Sequence, residues 1–390
     1  RNRAAAAAPG VTIGSMLSND ASTNYNYQLG RKFDTDQVDA YFDRTKTTSP
    51  RLIPQSITAD YEASEKIVGL FGMAETRIGE TDVIAGLRVE RTDFDASAPT
   101  YNETTGAIGV ANAGREYTAW FPNLTVRRAF TPDLIGRFTL SRGINRPNFP
   151  QAVPGVVENT ETETVRVTAG NPDLKPAMSN NIDAGLEYYL RPLGVIAVHA
   201  FYKDLEDYRY EATRSATYLG RQALLTRPEN APEGKLYGLE FDWQQQFTFL
   251  PGFFSDFGVF ANYTLTESEV ILATPYAGRT KMDLQGQSKH TYNASLFYER
   301  GPVNLRLSYT KRSDSLSEVN ADDADLDIYW KGRGQLDLTG SYQINSNISA
   351  FFEAKNLTNS AGVRYYGERQ RVLEYEKFGY SLFGGVRLKL

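Results

Sequence analysis

From Val303 to Lys311, apolar and polar residues alternate at every step, with Val303, Leu305, Leu307 and Tyr309 on one parity and Asn304, Arg306, Ser308 and Thr310 on the other. A period of two belongs to a β-strand, whose successive side chains point to opposite faces. The strand therefore has one oily face and one wet face. The same pattern returns in Leu336, Leu338, Gly340, Tyr342 and Ile344, in Ile348, Ala350, Phe352 and Ala354, and in Phe257, Val259, Ala261, Tyr263 and Leu265. It also returns in Tyr237, Leu239, Phe241 and Trp243, and in Val83, Ala85, Leu87 and Val89. The opposite parity carries several charges per segment, which a packed soluble core would accept only with a partner for each. About thirteen such segments predict an all-β chain, a transmembrane antiparallel β-barrel with one face to lipid and the other around a watery lumen.

Composition is compatible with this reading. Hydrophobic residues make up 41% of the chain and mean hydropathy is −0.44, because a barrel shows only alternate residues to lipid. The longest charge-free apolar stretch, 192–202, is bounded by Arg191 and Lys203. It is too short for a membrane helix of about 20 residues and suits a tilted strand of about 9–11. The chain has no cysteine, which removes disulfides, thiol catalysis and thiolate metal sites. A net charge of −5 with interspersed signs leaves no basic footprint for nucleic acid. The 24 tyrosines and 21 phenylalanines suit aromatic girdles at two membrane interfaces.

Connections alternate in length. Tight turns fall around Gly79, Pro132, Pro192, Gly252, Gly301 and Ser346, each rich in the residues that reverse a chain cheaply. Between them lie long connections at roughly 93–114, 145–178, 204–234, 266–285, 312–331 and 357–376. All short turns then share one rim and all long loops the other, as in outer-membrane barrels. The last strand, 378–390, would turn Tyr380, Leu382, Val386, Leu388 and Leu390 to lipid and Arg387 and Lys389 inward. Residues 1–60, which include the run Ala4 to Ala8, read as a long extracellular loop region with a short helix at 33–44, and 61–390 as the barrel.

The chain resembles the barrel of TonB-dependent outer-membrane receptors. The resemblance rests on Gly170-Asn171-Pro172-Asp173-Leu174-Lys175-Pro176, on Ser141-Arg142-Gly143-Ile144-Asn145-Arg146-Pro147, on Gly86-Leu87-Arg88-Val89-Glu90-Arg91-Thr92 and on Phe201-Tyr202-Lys203-Asp204. Gly238-Leu239-Glu240, Ala261-Asn262-Tyr263-Thr264 and Lys355-Asn356-Leu357-Thr358 add to it, and the set covers about 60–390. It implies a barrel of about 22 strands, of which this chain would supply the C-terminal portion. An N-terminal barrel segment, a plug and the plug's TonB contact would lie outside the chain. The family's usual terminal Phe is replaced here by Arg387-Leu388-Lys389-Leu390. The implied function is active import of a small-molecule nutrient across the outer membrane of a Gram-negative bacterium. The motif set leans to a carbohydrate over a ferric siderophore; the alternatives are a passive porin, or an outer-membrane enzyme or adhesin.

Nothing in the spacing singles out a catalytic constellation, a cofactor site or a metal site. His199 has lumen parity and His290 sits at a strand end. Asp322, Asp323, Asp325 and Asp327 lack the glycine and distal glutamate of a calcium loop. The Asn171-Pro172-Asp173 box reads first as a strand-launching turn. Wall residues expected to line the lumen are Arg88, Glu187, Glu240, Asp242, Asn262, Arg306, Asp337 and Glu353. Ligand contacts are expected in the outer loops, where aromatic faces stack on flat ligands and Arg grips anions. These are Tyr208, Arg209, Tyr210, Arg214, Tyr218 and Tyr276, followed by Arg279, Trp330, Arg364, Tyr365, Tyr366 and Arg369.

Overall fold

A half-lipid-facing strand is stable only where its neighbours repeat its phase and satisfy its backbone, and the computed structural model carries one phase across thirteen consecutive antiparallel strands. The structure describes residues 17–24, 27–33, 35–45, 60–101, 105, 107–159, 165–218, 220–276 and 278–389. The wall strands are β1 (Glu62–Ile78), β2 (Thr81–Tyr101), β3 (Ile108–Ala129), β4 (Leu134–Asn145), β5 (Ala177–Tyr189), β6 (Gly194–Tyr218) and β7 (Arg221–Gln246). They continue with β8 (Phe257–Tyr276), β9 (His290–Arg300), β10 (Val303–Arg312), β11 (Gly334–Gln343), β12 (Ile348–Lys355) and β13 (Ser381–Leu388). β1 is registered only to β2 and β13 only to β12, so among the described residues no pairing joins the two edges.

The register confirms the phase read from the sequence. Val259, Leu296, Leu307 and Leu338 face one another across β8, β9, β10 and β11, and the row runs on through Ala354 to Leu382. Large apolar side chains on this face stay exposed, Leu186 at 54% and Leu239 at 51%, as expected where lipid is the missing solvent. Aromatic pairs bracket the row. Tyr263 and Tyr292 stack at 4.8 Å toward the long connections, and Phe257 and Tyr298 meet at 5.0 Å toward the short turns. Tyr263 and Phe257 are six residues apart, about 20 Å along a strand. These pairs form the two girdles of a membrane barrel. Gly79 and Gly252 take positive φ, 60° and 59°, in two of the short turns.

Four boundaries differ from the sequence reading, one of them 266–285, expected as a loop, where β8 runs on to Tyr276 and the strand Arg279–Met282 pairs back on it. The spans 93–114 and 204–234, expected as loops, are mostly strand: β2 and β3 run on as a paired hairpin to Tyr101 and Ile108, and β6 and β7 to Tyr218 and Arg221. Beyond the membrane the alternation of β2 persists but changes sides: Phe94, Ala96 and Ala98, on the lumen parity, are buried under the inward loop, while Asp93 and Asp95, on the lipid parity, are exposed. The final strand is shorter than expected. The helix α1 (Thr35–Thr45) lies close to its expected place, preceded by paired strands Leu17–Asn24 and Tyr27–Phe33; the run Ala4 to Ala8 falls outside the described residues.

Above the wall, the long connections pack on one another. The strands Ser315–Asn320, Ile328–Trp330, Gly362–Tyr366 and Val372–Glu376 form a second antiparallel sheet. Its first strand also touches β6 at Ala212 and Thr213. The core of this layer joins Tyr210, Ala212, Ala231, Val270, Leu272, Met282, Leu316 and Val319.

Candidate lumen wall and outer vestibule

All eight residues expected to line the lumen fall on the polar face by register. Glu240 stands opposite His199 and Thr264; Asp242 stands opposite Asn262, whose side chain accepts from Asn293 at 2.6 Å. Arg306 lies 5.3 Å over the Phe297 ring, and Ser295 donates to Ser308 at 2.9 Å beside it. Asp337 accepts from Gln335 at 2.9 Å, Glu353 pairs with Lys355 at 3.0 Å, Arg88 with Glu90 at 2.6 Å, and Glu187 with Arg137 at 2.6 Å. Polar side chains thus satisfy one another along the wall instead of packing a core. His199 shares this face. It lies flat on Gly185, where a Cβ would come within 2.2 Å of Nδ1.

At the mouth of this face the connection after β4 folds inward. Its Arg146 donates to Glu90 at 2.6 Å, to Thr92 at 3.1 Å and to the Tyr117 hydroxyl at 3.1 Å, pinning the loop to β2 and β3. The short helix α2 (Phe149–Ala152) follows. Asn148 and Gln151 close its first turn as a reciprocal cap. Ala152 and Val153 then pack on Phe94 and Ala96, on the lumen face of β2.

The Asn171-Pro172-Asp173 box is structural in this conformation. Asn171 donates to the Pro228 carbonyl at 2.9 Å, accepts from Arg227 at 2.8 Å and from the Asp173 amide at 3.1 Å, and Leu174 is fully buried. The box and β3 border an open pocket of about 460 Å³ lined in part by Arg115, Glu116, Tyr117, Asp173, Lys175 and Asp207.

Three guanidinium groups at this mouth have donors to spare among the described residues, Arg227 through Nε and Arg115 and Arg209 through Nη1. Arg115 stacks 4.7 Å over Phe94, and Arg209 donates to Asn145 at 3.3 Å. In each, Nη1 is buried and lacks a hydrogen-bond partner among the described residues. Burial pulls the pKa of both below the usual arginine range. Buried cations without a full set of acceptors are costly, and an anionic guest would relieve that cost.

Most ring faces expected to stack on ligand are closed. Tyr210 is 1% exposed and donates to Glu229 at 3.1 Å, and Tyr208 packs against the same core. Tyr218 packs on Val165, Val167 and Ala223. Tyr365 is 5% exposed; burial, then its 2.6 Å bond to Asp314, pushes its phenol up to about 12. Trp330 lies under Arg364, which also binds Glu318 and Glu374. Arg214 is bound to Glu229, Arg279 to Asp327, and Arg369 to Asp314 at 2.8 Å. Tyr366 is half-buried, and the side chain of Tyr276 lies outside the described residues.

The acidic loop is occupied by its own contacts. Asp323 accepts from the Asp325 amide at 2.9 Å, while Asp327 holds Arg279 and accepts from the Asn320 amide at 2.8 Å.

The profile of a family described as TonB dependent receptor-like, beta-barrel, matches residues 5–357. The chain belongs to this family. No curated protein sequence matches it. Among solved structures, the ferric-catecholate import receptor Fiu of E. coli superposes with a TM-score of 0.61 at 12% identity, over 84% of this chain and 45% of that one. The ferric enterobactin receptor PfeA of Pseudomonas aeruginosa, in complex with enterobactin, gives 0.55 at 15%, over 84% and 54%. The copper transporter OprC gives 0.62 at 14%, over 84% and 48%. At such identity the likeness establishes the fold alone. The chain spans about half the length of these solved structures.

TonB-dependent receptor barrels are outer-membrane proteins of Gram-negative bacteria, and the two girdles found here fit that setting. In this TonB-dependent receptor barrel, the sequence reading passed over Arg115, Tyr117 and Arg227, and took Arg146 only as part of a family motif with no role of its own. Parity could have flagged Arg115 and Tyr117, which continue the lumen phase of Ala119 and Phe121. No local signal gives the partners of Arg146 or Arg227, which lie 56 residues away in the chain.

Proposed function

We propose that the chain is the C-terminal barrel part of a receptor that imports a small anionic nutrient, of the ferric-chelate type, across the outer membrane with energy delivered through TonB. In this reading a plug and an N-terminal barrel segment meet the edges β1 and β13, and TonB acts through the plug. The observation that carries the substrate class is the pair of unspent guanidinium donors, Arg115 and Arg209, at the mouth of the polar face. A neutral oligosaccharide would ask for open ring faces, and Tyr210 and Tyr365 do not offer them. The ferric-catecholate and ferric enterobactin receptors among the structural neighbours fit the same chemistry.

Mechanistically, the vestibule takes up the anion on guanidinium donors that have no other acceptor among the described residues, while the Arg146 clamp holds the inward loop in position. Below it, the charged and amide side chains of the wall offer a wet path past Glu240, Asp242 and Asn262. The test is uptake of a ⁵⁵Fe-labelled catecholate by cells carrying the full receptor. Uptake should stop without TonB, and Arg115→Ala and Arg209→Ala should each weaken binding by about tenfold or more, the size of a charge-assisted hydrogen bond. Uptake of a neutral oligosaccharide in place of ferric chelates, indifferent to both substitutions, would contradict the reading.

A further inference from the structure

The strongest unassigned feature lies on the outside of the wall, where β9, β10 and β11 rise past the upper aromatic girdle. A pocket of about 370 Å³ there is lined in part by His290, Lys311, Arg312, Asp314, Lys331 and Arg369. Its place is fixed by register. Lys311 stands opposite Tyr292 and Gly334, one step beyond Tyr309 on the lipid-facing parity of β10. Tyr292 and Tyr263 stack there with His290, which meets the Tyr263 hydroxyl at 2.9 Å. The pocket therefore opens at the level where girdle side chains meet lipid headgroups, on the rim of the long connections.

Its charge is as one-sided as its position. The chain as a whole is acidic, at −5, yet this pocket gathers two lysines and two arginines around one carboxylate. That carboxylate, Asp314, is already engaged: Arg369 reaches it at 2.8 and 2.9 Å, the Tyr365 hydroxyl at 2.6 Å and the Gly332 amide at 2.8 Å. Lys311, Arg312 and Lys331 make no ion pair among the described residues. Like charges held together without counter-ions repel one another, and a multivalent anion removes that penalty.

We propose that this pocket binds the phosphate of a phosphorylated lipid headgroup in the outer leaflet, with Lys311 and Lys331 as principal contacts. A lipid is favoured over a soluble phosphate because the pocket continues the apolar face: the acyl chains of a seated lipid would run down the Leu307 and Leu338 row while its headgroup meets the cations. The site lies on the opposite side of the wall from the vestibule and does not depend on the identity of the imported ligand.

The test uses the full receptor in detergent, incubated with bisphosphorylated lipid A, with the same lipid stripped of phosphate, or with inorganic phosphate, and read by native mass spectrometry. The phosphorylated lipid should be retained at least tenfold better than the stripped one. Lys311→Glu combined with Lys331→Glu should abolish that preference, while Lys311→Arg with Lys331→Arg, which preserves charge, should keep it. Heat-modifiable migration on gels identifies folded protein, so lost retention in a folded charge-reversed receptor supports the site. Equal retention of both lipids, unchanged retention after charge reversal, or displacement of the lipid by millimolar inorganic phosphate would overturn it.

Discussion

Leu307→Arg is expected to cost the barrel about 2–4 kcal/mol on refolding into lipid vesicles, whereas Ser308→Arg, one residue along the same strand, should cost only a small fraction of that. Leu307 sits mid-row between Leu296 and Leu338 on the apolar face, so a guanidinium there must either enter hydrocarbon or distort the strand to escape it. Ser308 sits between Ser295 and Asp337 on the polar face, where an arginine gains a carboxylate neighbour and keeps its water. Urea titration of the receptor in vesicles reads the difference directly. Equal costs for the two substitutions would show that the phase of the wall is misassigned.

The second large effect belongs to the layer above the membrane. Asp327→Ala should open that layer, because the carboxylate is 1% exposed and holds both the Arg279 guanidinium and the Asn320 amide. Burial pushes its pKa up despite the guanidinium beside it, so the site is poor in water and tolerates no lone charge. Removing one partner of such a pair costs about 3–5 kcal/mol, less whatever solvent reaches the partly exposed Arg279. Hydrogen exchange in the strands Ser315–Asn320, Ile328–Trp330 and Gly362–Tyr366 should speed by about a hundredfold, with β9 and β10 unchanged. Asp327→Asn, which keeps an acceptor for the Asn320 amide, should fall between. Exchange unchanged in the Ala variant would mean that the layer is held by its apolar core of Tyr210, Val270 and Val319 alone.

How much of this was legible in the sequence depends on which solvent each residue meets. Within the membrane, one face of every strand sees lipid and the other water, so parity alone separates Leu305 and Leu307 from Arg306 and Ser308, and the register agrees. Turn chemistry did the same for Gly79 and Gly252, whose positive φ is sterically easy only for glycine. Past the girdle the lipid is gone, and the apolar parity packs on loops in its place. The stretch from Tyr208 to Thr213 keeps a period of two, Tyr208, Tyr210 and Ala212 against Arg209, Glu211 and Thr213, but its apolar parity packs on other long connections, and it is continuous strand paired to β7.

The candidate site was harder to read, because it is made by packing across long sequence distances. Tyr210 and Tyr365 looked like open platforms from composition. One is buried against Leu316 and Val319, about a hundred residues away, and the other donates to Asp314, 51 residues away. Arginines reading as ligand contacts, Arg279 and Arg364 among them, turned out to hold loops together through Asp327, Glu318 and Glu374. Conversely, Arg115 carries the unspent donor because its stack on Phe94 leaves Nη1 without an acceptor, a fact of geometry that no local pattern reveals.

The central claim is that the polar face of this thirteen-strand wall is the water-filled interior of a membrane barrel. The chain has no cysteine, so single cysteines placed in turn at 303–311 and spin-labelled in the full receptor report on each position without background. In vesicles, oxygen accessibility should peak at 305, 307 and 309 and a water-soluble nickel chelate at 304, 306, 308 and 310, in opposite phase. Accessibility to both reagents rising and falling together along β10, or showing no period of two, would contradict it.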